Sequence, residues 1–104
     1  MSNATILATP DGFRRWLQSG ELDAPVGRAG DPDNCPLAWF LLAQGAAACE
    51  VEHTRWRTRG GRFYALKPWA RAFVRAVDLL PLWRMLTARE ALALLLDRGE
   101  ARDV

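Results

Sequence analysis

Two consecutive glycines, Gly60 and Gly61, set between two runs rich in β-branched and aromatic residues, constrain this chain more than any other feature. Residues 53–66 read His-Thr-Arg-Trp-Arg-Thr-Arg-Gly-Gly-Arg-Phe-Tyr-Ala-Leu, and a Gly-Gly pair can supply the two left-handed positions of a tight hairpin turn. A two-residue loop sets Arg59 opposite Arg62, Thr58 opposite Phe63, Arg57 opposite Tyr64, Trp56 opposite Ala65 and Arg55 opposite Leu66. Side chains alternate along a strand. This register therefore predicts a core face of Trp56, Thr58, Phe63 and Ala65, and a wet cationic face of Arg55, Arg57, Arg59, Arg62 and Tyr64. The hairpin is expected to span about 49–66. A two-stranded sheet with both edges unpaired is marginal, so a homodimer, or an edge covered by the N-terminal segment, is expected.

A chain of 104 residues that is half apolar is long enough for one core and too short for two, which predicts a single domain over 1–104 with 1–8 and 100–104 as candidate disordered ends. Five tryptophans, at 16, 39, 56, 69 and 83, are spread along it and can each add a large buried area. The net charge is only +2, but its distribution is uneven. Residues 1–52 hold seven acids and three bases, 53–77 seven bases and no acid, and 78–104 five acids and four bases. The positive charge is thus confined to the hairpin and the segment after it. Thirteen of the fourteen basic residues are arginine. A GC-rich genome produces that bias as readily as a task does, so arginine content alone is no argument for phosphate binding.

The start Met-Ser-Asn-Ala-Thr-Ile-Leu-Ala has neither the basic region nor the apolar run of a signal peptide. The longest apolar stretch, Pro36 to Cys49, is interrupted by Gln44 and Gly45 and is shorter than a membrane span. Two cysteines in no paired motif complete the expectation of a cytoplasmic protein with reduced thiols and no membrane partner.

Four helices are predicted, near 10–19, 36–44, 68–80 and 88–98. Thr9-Pro10-Asp11 offers an N-cap, a proline for the first turn and an early acid, after which Phe13, Trp16 and Leu17 share one face. Pro36 opens a segment that is apolar on nearly every side, with Gly45 as its stop. Pro68 opens a helix that buries Trp69, Phe73, Ala76, Val77 and Leu80 and turns Arg71 and Arg75 outward. Those arginines stand at i, i+4, where like charges repel by a few tenths of a kcal/mol (about 0.2–0.5), so helix stability does not favour the pair. Thr87-Ala88-Arg89-Glu90 is a capping box, with Leu92, Leu95 and Leu96 as the buried stripe behind it and Gly99 as the stop. Between these elements, Glu21 to Asn34 reads as a long loop and Leu82, Trp83 and Met85 as a buried connector. The predicted core is Trp16, Leu17, Leu37, Phe40, Leu41, Trp56, Phe63, Trp69, Phe73, Val77, Leu92 and Leu95.

Several short motifs do not carry chemistry. Gly27-Arg28-Ala29-Gly30 matches the GxxG of a KH loop, but no strand is predicted before it and Asp-Pro-Asp follows, which favours an ordinary turn. A calcium loop from Asp31 would need Gly at its sixth and Glu at its twelfth position, where Pro36 and Leu42 stand. Asp33 and Asn34 are read instead as turn and capping residues. Cys35, at a helix N-terminus, has the dipole that activates a thiol. The single histidine, His53, is eighteen residues away, so a buried, inert Cys35 is expected. Cys49 and His53 fall on one strand face and fall short of a zinc ligand set. No metal, no cofactor and no catalytic residue are expected.

Cys35-Pro36-Leu37-Ala38-x-Phe40-Leu41, Pro68-Trp69-Ala70-x-x-Phe73-Val74-x-x-Val77-Asp78 and Thr87-Ala88-x-Glu90-Ala91-Leu92 together resemble short uncharacterised bacterial proteins of roughly this length. The resemblance covers most of the chain. It implies the domain limits and a bacterial source, and attaches no activity. The expectation is a small α+β domain, helices packed on one face of an antiparallel hairpin, acting as a non-enzymatic binding module. Arg55, Arg57, Arg59, Arg62, Arg71 and Arg75 would pair with nucleic-acid phosphates while Tyr64 stacks on a base. The alternative is a protein-interaction or inhibitory module that engages an acidic partner, or a second copy, through the same surface.

Overall fold

Three helices open on a proline, whose missing N–H is no loss in a first turn. They are α1 (Pro10–Gln18), α2 (Pro36–Ala43) and α3 (Pro68–Asp78). The fourth, α4 (Ala88–Leu94), starts at the capping box: Glu90 N–H donates to Thr87 Oγ1 at 3.2 Å, and Thr87 N–H donates to Glu90 Oε1 at 3.0 Å. A π-helical turn, Leu95–Gly99, extends it. The computed structural model describes residues 9–46 and 48–99. The expectations for 1–8 and 100–104, and for cover by the N-terminal segment, lie outside the described residues. Among the described residues the architecture is α+β, four helices with two small antiparallel sheets.

The core is aromatic at its centre. The Phe13 ring lies 5.2 Å from Phe40, 5.9 Å from Trp69 and 5.0 Å from Phe73, the last edge-on at 82°. Pairs of this kind add about 0.5–1.5 kcal/mol each beyond their burial. The apolar faces of α1 and α3 meet here as their periodicity predicts. Trp16 and Leu92, expected inside, are partly buried against the cluster's edge, and Leu96, expected in the buried stripe of α4, is exposed on the π-helical turn.

Two stretches without helical period form a sheet of their own. β1 (Pro25–Arg28) pairs antiparallel with β5 (Met85–Thr87), bringing the segment read as a loop onto the segment read as a connector. Val26 and Leu86 turn inward, while Leu82, Trp83 and Met85 are exposed, which overturns the buried-connector reading. Gly27 makes the pairing possible. Its φ is +145°, and a Cβ there would lie 2.6 Å from the Cys35 carbonyl carbon, so only glycine lets β1 lie this close to the start of α2. The Gly27-x-x-Gly30 motif is thus a packing device. Asp31 to Asn34 form the expected turn, with Asp33 N–H donating to Asp31 Oδ1 at 3.2 Å, but the cap of α2 is Cys35.

The second sheet is β2 (Cys49–Val51), β3 (Arg55–Thr58) and β4 (Tyr64–Ala65) in that order. The expected hairpin has a third strand, and Val51 N–H on the outer side of β2 donates to Pro32 O at 3.0 Å. Its register also differs by one residue: Arg55 faces Ala65 and Trp56 faces Tyr64. Gly61 N–H closes the turn onto Thr58 O at 2.8 Å, and of the two glycines only Gly60 is left-handed, at φ +75°. A turn with one left-handed residue at its third position replaces the turn that needs two. A one-residue slip reverses every side chain of the second strand. Tyr64 and Leu66 consequently face the core, with the Tyr64 ring 5.2 Å from that of Trp56. Phe63 is only half-buried and Ala65 is exposed, which corrects the predicted core face.

Candidate binding surface

Arg55, Arg57 and Arg59 are where the sequence places them, on the outer face, but acids from elsewhere in the chain meet them. Arg57 stands opposite Glu50 across the β2–β3 ladder and bonds it at 3.4 Å. Arg55 holds Glu52 at 2.9 Å across the turn between these strands. Arg59, at the hairpin tip, reaches Asp33 at 3.5 Å. The guanidinium carbons of Arg55 and Arg57 also lie 3.6 and 4.7 Å from the centre of the Phe63 ring. Such contacts contribute about 0.5–1 kcal/mol at exposed sites. Their first role is therefore to roof an aromatic that the register leaves outside. Tyr64, expected to present a stacking face beside them, is turned inward onto Trp56.

Arg62, Arg71 and Arg75 differ from these three. They are exposed and have no acidic partner among the described residues. Arg71 and Arg75 line a polar groove of about 460 Å³ together with His53, Thr54, Pro68 and Ala72. The predicted single cationic face is thus divided into a hairpin where Arg55, Arg57 and Arg59 are paired and Arg62 is not, and an unneutralised row on α3. Because side chains four apart on a helix stack along one face, the Arg71–Arg75 row continues to Leu79, the C-cap of α3.

Leu79 begins the feature that the sequence reading missed. Leu79 is 78 % exposed, Leu82 67 %, Trp83 52 % and Met85 38 %, four large apolar side chains within seven residues of chain. Large apolar side chains exposed together in one short segment make it a candidate interaction site. The loop that presents them is pinned. Trp83 N–H donates to Ala29 O and Ala29 N–H donates to Arg84 O, both at 2.8 Å. Between those bonds Trp83 adopts φ +67°, a conformation that costs a non-glycine residue about 1–3 kcal/mol and is held only where the surroundings over-determine it. Leu82 sits against Gly30, where a Cβ would meet its Cδ1 at 2.4 Å. The sequence signal was the run Leu79-Leu80-Pro81-Leu82-Trp83-Arg84-Met85 itself, whose apolar residues follow neither helical nor strand period.

Against α3 lies an apolar cavity of about 370 Å³, walled by Leu37, Val51, Phe73, Val77 and the loop's own Leu82 among others. Cys35, His53 and Asp78 also line it, which assembles three residue types of a thiol-based triad. The chemistry does not follow. His53 Nδ1 meets Asp78 Oδ2 at 2.9 Å, but burial pushes the Cys35 thiol up to about 12, against the opposing pull of the Ala38 and Leu37 amides. A nucleophilic cysteine needs the reverse shift. Cys49, buried where its Sγ donates to Ala38 O at 3.4 Å, is likewise pushed up, to about 11. His53 lies on the turn after β2, exposed and away from the face of Cys49. Among the described residues no group of three His, Cys, Asp or Glu is placed to hold a metal ion, and no helix is long and apolar enough to cross a membrane.

No protein-family model matches this chain, and the curated proteins and solved structures give no match either.

Proposed function

We propose that this protein is a non-enzymatic interaction module that docks an acidic protein segment on the Leu79–Met85 loop and the adjoining arginine row of α3. The observation that carries the reading is the loop: four large apolar side chains held in water on a backbone that two hydrogen bonds keep in a strained shape. A rigid exposed tryptophan is a favourable anchor, because little freedom is lost when it is covered. The charge of the partner follows from Arg71 and Arg75, which have no acid of their own among the described residues and lead along the helix to Leu79. Nucleic-acid binding through the hairpin is less favoured, since Arg55, Arg57 and Arg59 already have carboxylate partners and Tyr64 faces the core.

The test is selection of a random-peptide phage library on the folded domain, with Trp83→Ala as the counter-target. Enriched peptides are expected to carry apolar anchors beside Asp or Glu, and Trp83→Ala is expected to weaken them by about 2 kcal/mol, some thirtyfold. Enrichment of basic peptides, or equal binding to the variant, refutes the reading. A duplex oligonucleotide provides the second arm. Two phosphate contacts, at Arg71 and Arg75, would give a log–log salt slope near about −1.8. Duplex binding with that slope, insensitive to Trp83→Ala, would establish the nucleic-acid alternative.

A further inference from the structure

The apolar cavity beside α3 has a use that the loop does not account for. Its volume of about 370 Å³ falls within the range of about 300–1,000 Å³ typical of small-molecule sites, which combine apolar walls with a few polar groups that fix orientation. Leu37, Val51, Phe73 and Val77 supply an inner wall that is buried in the core, and the exposed Pro32 and Leu82 form its outer side, so the cavity is a half-open pocket set into the fold. Its polar lining consists mainly of Asp31, Glu52, His53 and Asp78, which are more exposed and therefore stand at the mouth. The cations that meet these acids are Arg55, on Glu52, and His53, on Asp78. Even with His53 counted as protonated, three carboxylates stand against two paired cations at the mouth, and Arg71 and Arg75, unpaired among the described residues, line the next groove, beyond His53.

We propose that this cavity binds a small organic cation, a compact apolar body with one protonated amine that remains at the acidic mouth. The walls remove the hydrocarbon from water, and the ammonium gains charge-assisted bonds to the carboxylates at the mouth, of which Glu52 and Asp78 each have one oxygen engaged, by Arg55 and His53. A carboxylate on the same body meets repulsion, and an alcohol meets neither. Ligand charge is therefore the property that the site discriminates, while shape is set by a cavity that exists before binding.

The experiment compares three ligands with one body: 4-phenylbutylamine, 4-phenylbutan-1-ol and 4-phenylbutyrate, titrated into the ¹⁵N-labelled domain. The amine is expected to shift amides of Val51 to His53 and of Val74 to Asp78, and to bind about tenfold tighter than the alcohol, the usual size of one added charge-assisted hydrogen bond. Butyrate should bind weakest. Asp78→Asn should bring the amine to within about threefold of the alcohol while leaving the alcohol unchanged. Val74→Trp, which fills the cavity, should abolish both. If that variant does not fold, Asp78→Asn decides alone. An amine that binds no tighter than the alcohol, shifts that fall outside the lining, or no binding of any ligand at millimolar concentration overturns the proposal. Trp83→Ala should leave amine binding unaltered, which separates this site from the docking loop.

Discussion

Gly27→Ala tests the contact that seats the β1–β5 sheet against the start of α2. The methyl group would lie 2.6 Å from the Cys35 carbonyl carbon, 2.6 Å from the Pro36 nitrogen and 2.7 Å from the Asn34 carbonyl oxygen. All three are backbone atoms, so no side-chain rotation relieves the overlap. Moving β1 away breaks the bond from Arg28 N–H to Asn34 O, now 2.7 Å long, at a cost of about 1 kcal/mol. The φ of +145° adds about 1–3 kcal/mol for a residue with a side chain. A total of about 2–4 kcal/mol is a large part of the 5–15 kcal/mol expected of such a domain and corresponds to roughly 10–30 °C in Tm. Urea melts followed by tryptophan fluorescence give the number directly. Gly45→Ala is the control, because Gly45 is also left-handed, at φ +98°, but has open space around it. It should lose only the conformational part, about 1–3 kcal/mol, without the broken hydrogen bond and the overlap with backbone. If the two variants lie within about 0.5 kcal/mol of each other, the close approach of β1 to α2 is wrong.

Phe73→Ala is expected to cost about 3–5 kcal/mol and Phe63→Ala about 1 kcal/mol, because the first ring is in the core and the second lies outside under two arginines; chemical denaturation in the reverse order would restore the two-residue turn. Thr87→Ala should remove about 1 kcal/mol by opening the capping box, and Thr87→Ser should retain most of it, as read by thermal melts. Raised thiol values make the fold sensitive to alkali. Both thiols stay protonated in the native state above pH 9.0, where an unfolded thiol ionises, so their contribution is complete below pH 9. It is then lost as pH rises toward about 11 for Cys49 and about 12 for Cys35, at up to about 1.4 kcal/mol per unit for each. Cys49→Ala should flatten that decline in pH-dependent urea melts, and an unchanged slope would contradict the burial of Cys49.

What the sequence determined by itself is what depends on neighbours a few residues apart. Pro10, Pro36 and Pro68 start helices, Thr9 and Thr87 cap them, and the 3.6-residue spacing of Phe13 and Leu17 or of Phe73 and Val77 selects the buried face, because each of these effects closes within one or two turns. The existence of a hairpin around Gly60 was legible for the same reason. Its register was not, since Gly-Gly fits turns with one left-handed residue or two, and the choice falls to whichever of Phe63 and Tyr64 packs better against Trp56. The β1–β5 ladder, the Arg57–Glu50 and Arg59–Asp33 pairs and the cavity shared by Cys35, His53 and Asp78 join residues distant in the chain. The exposure of Leu79 to Met85 was likewise a tertiary decision. A core built around Phe13, Phe40, Trp69 and Phe73 was already filled by residues with the right period, and an apolar run with no period has no single face to bury.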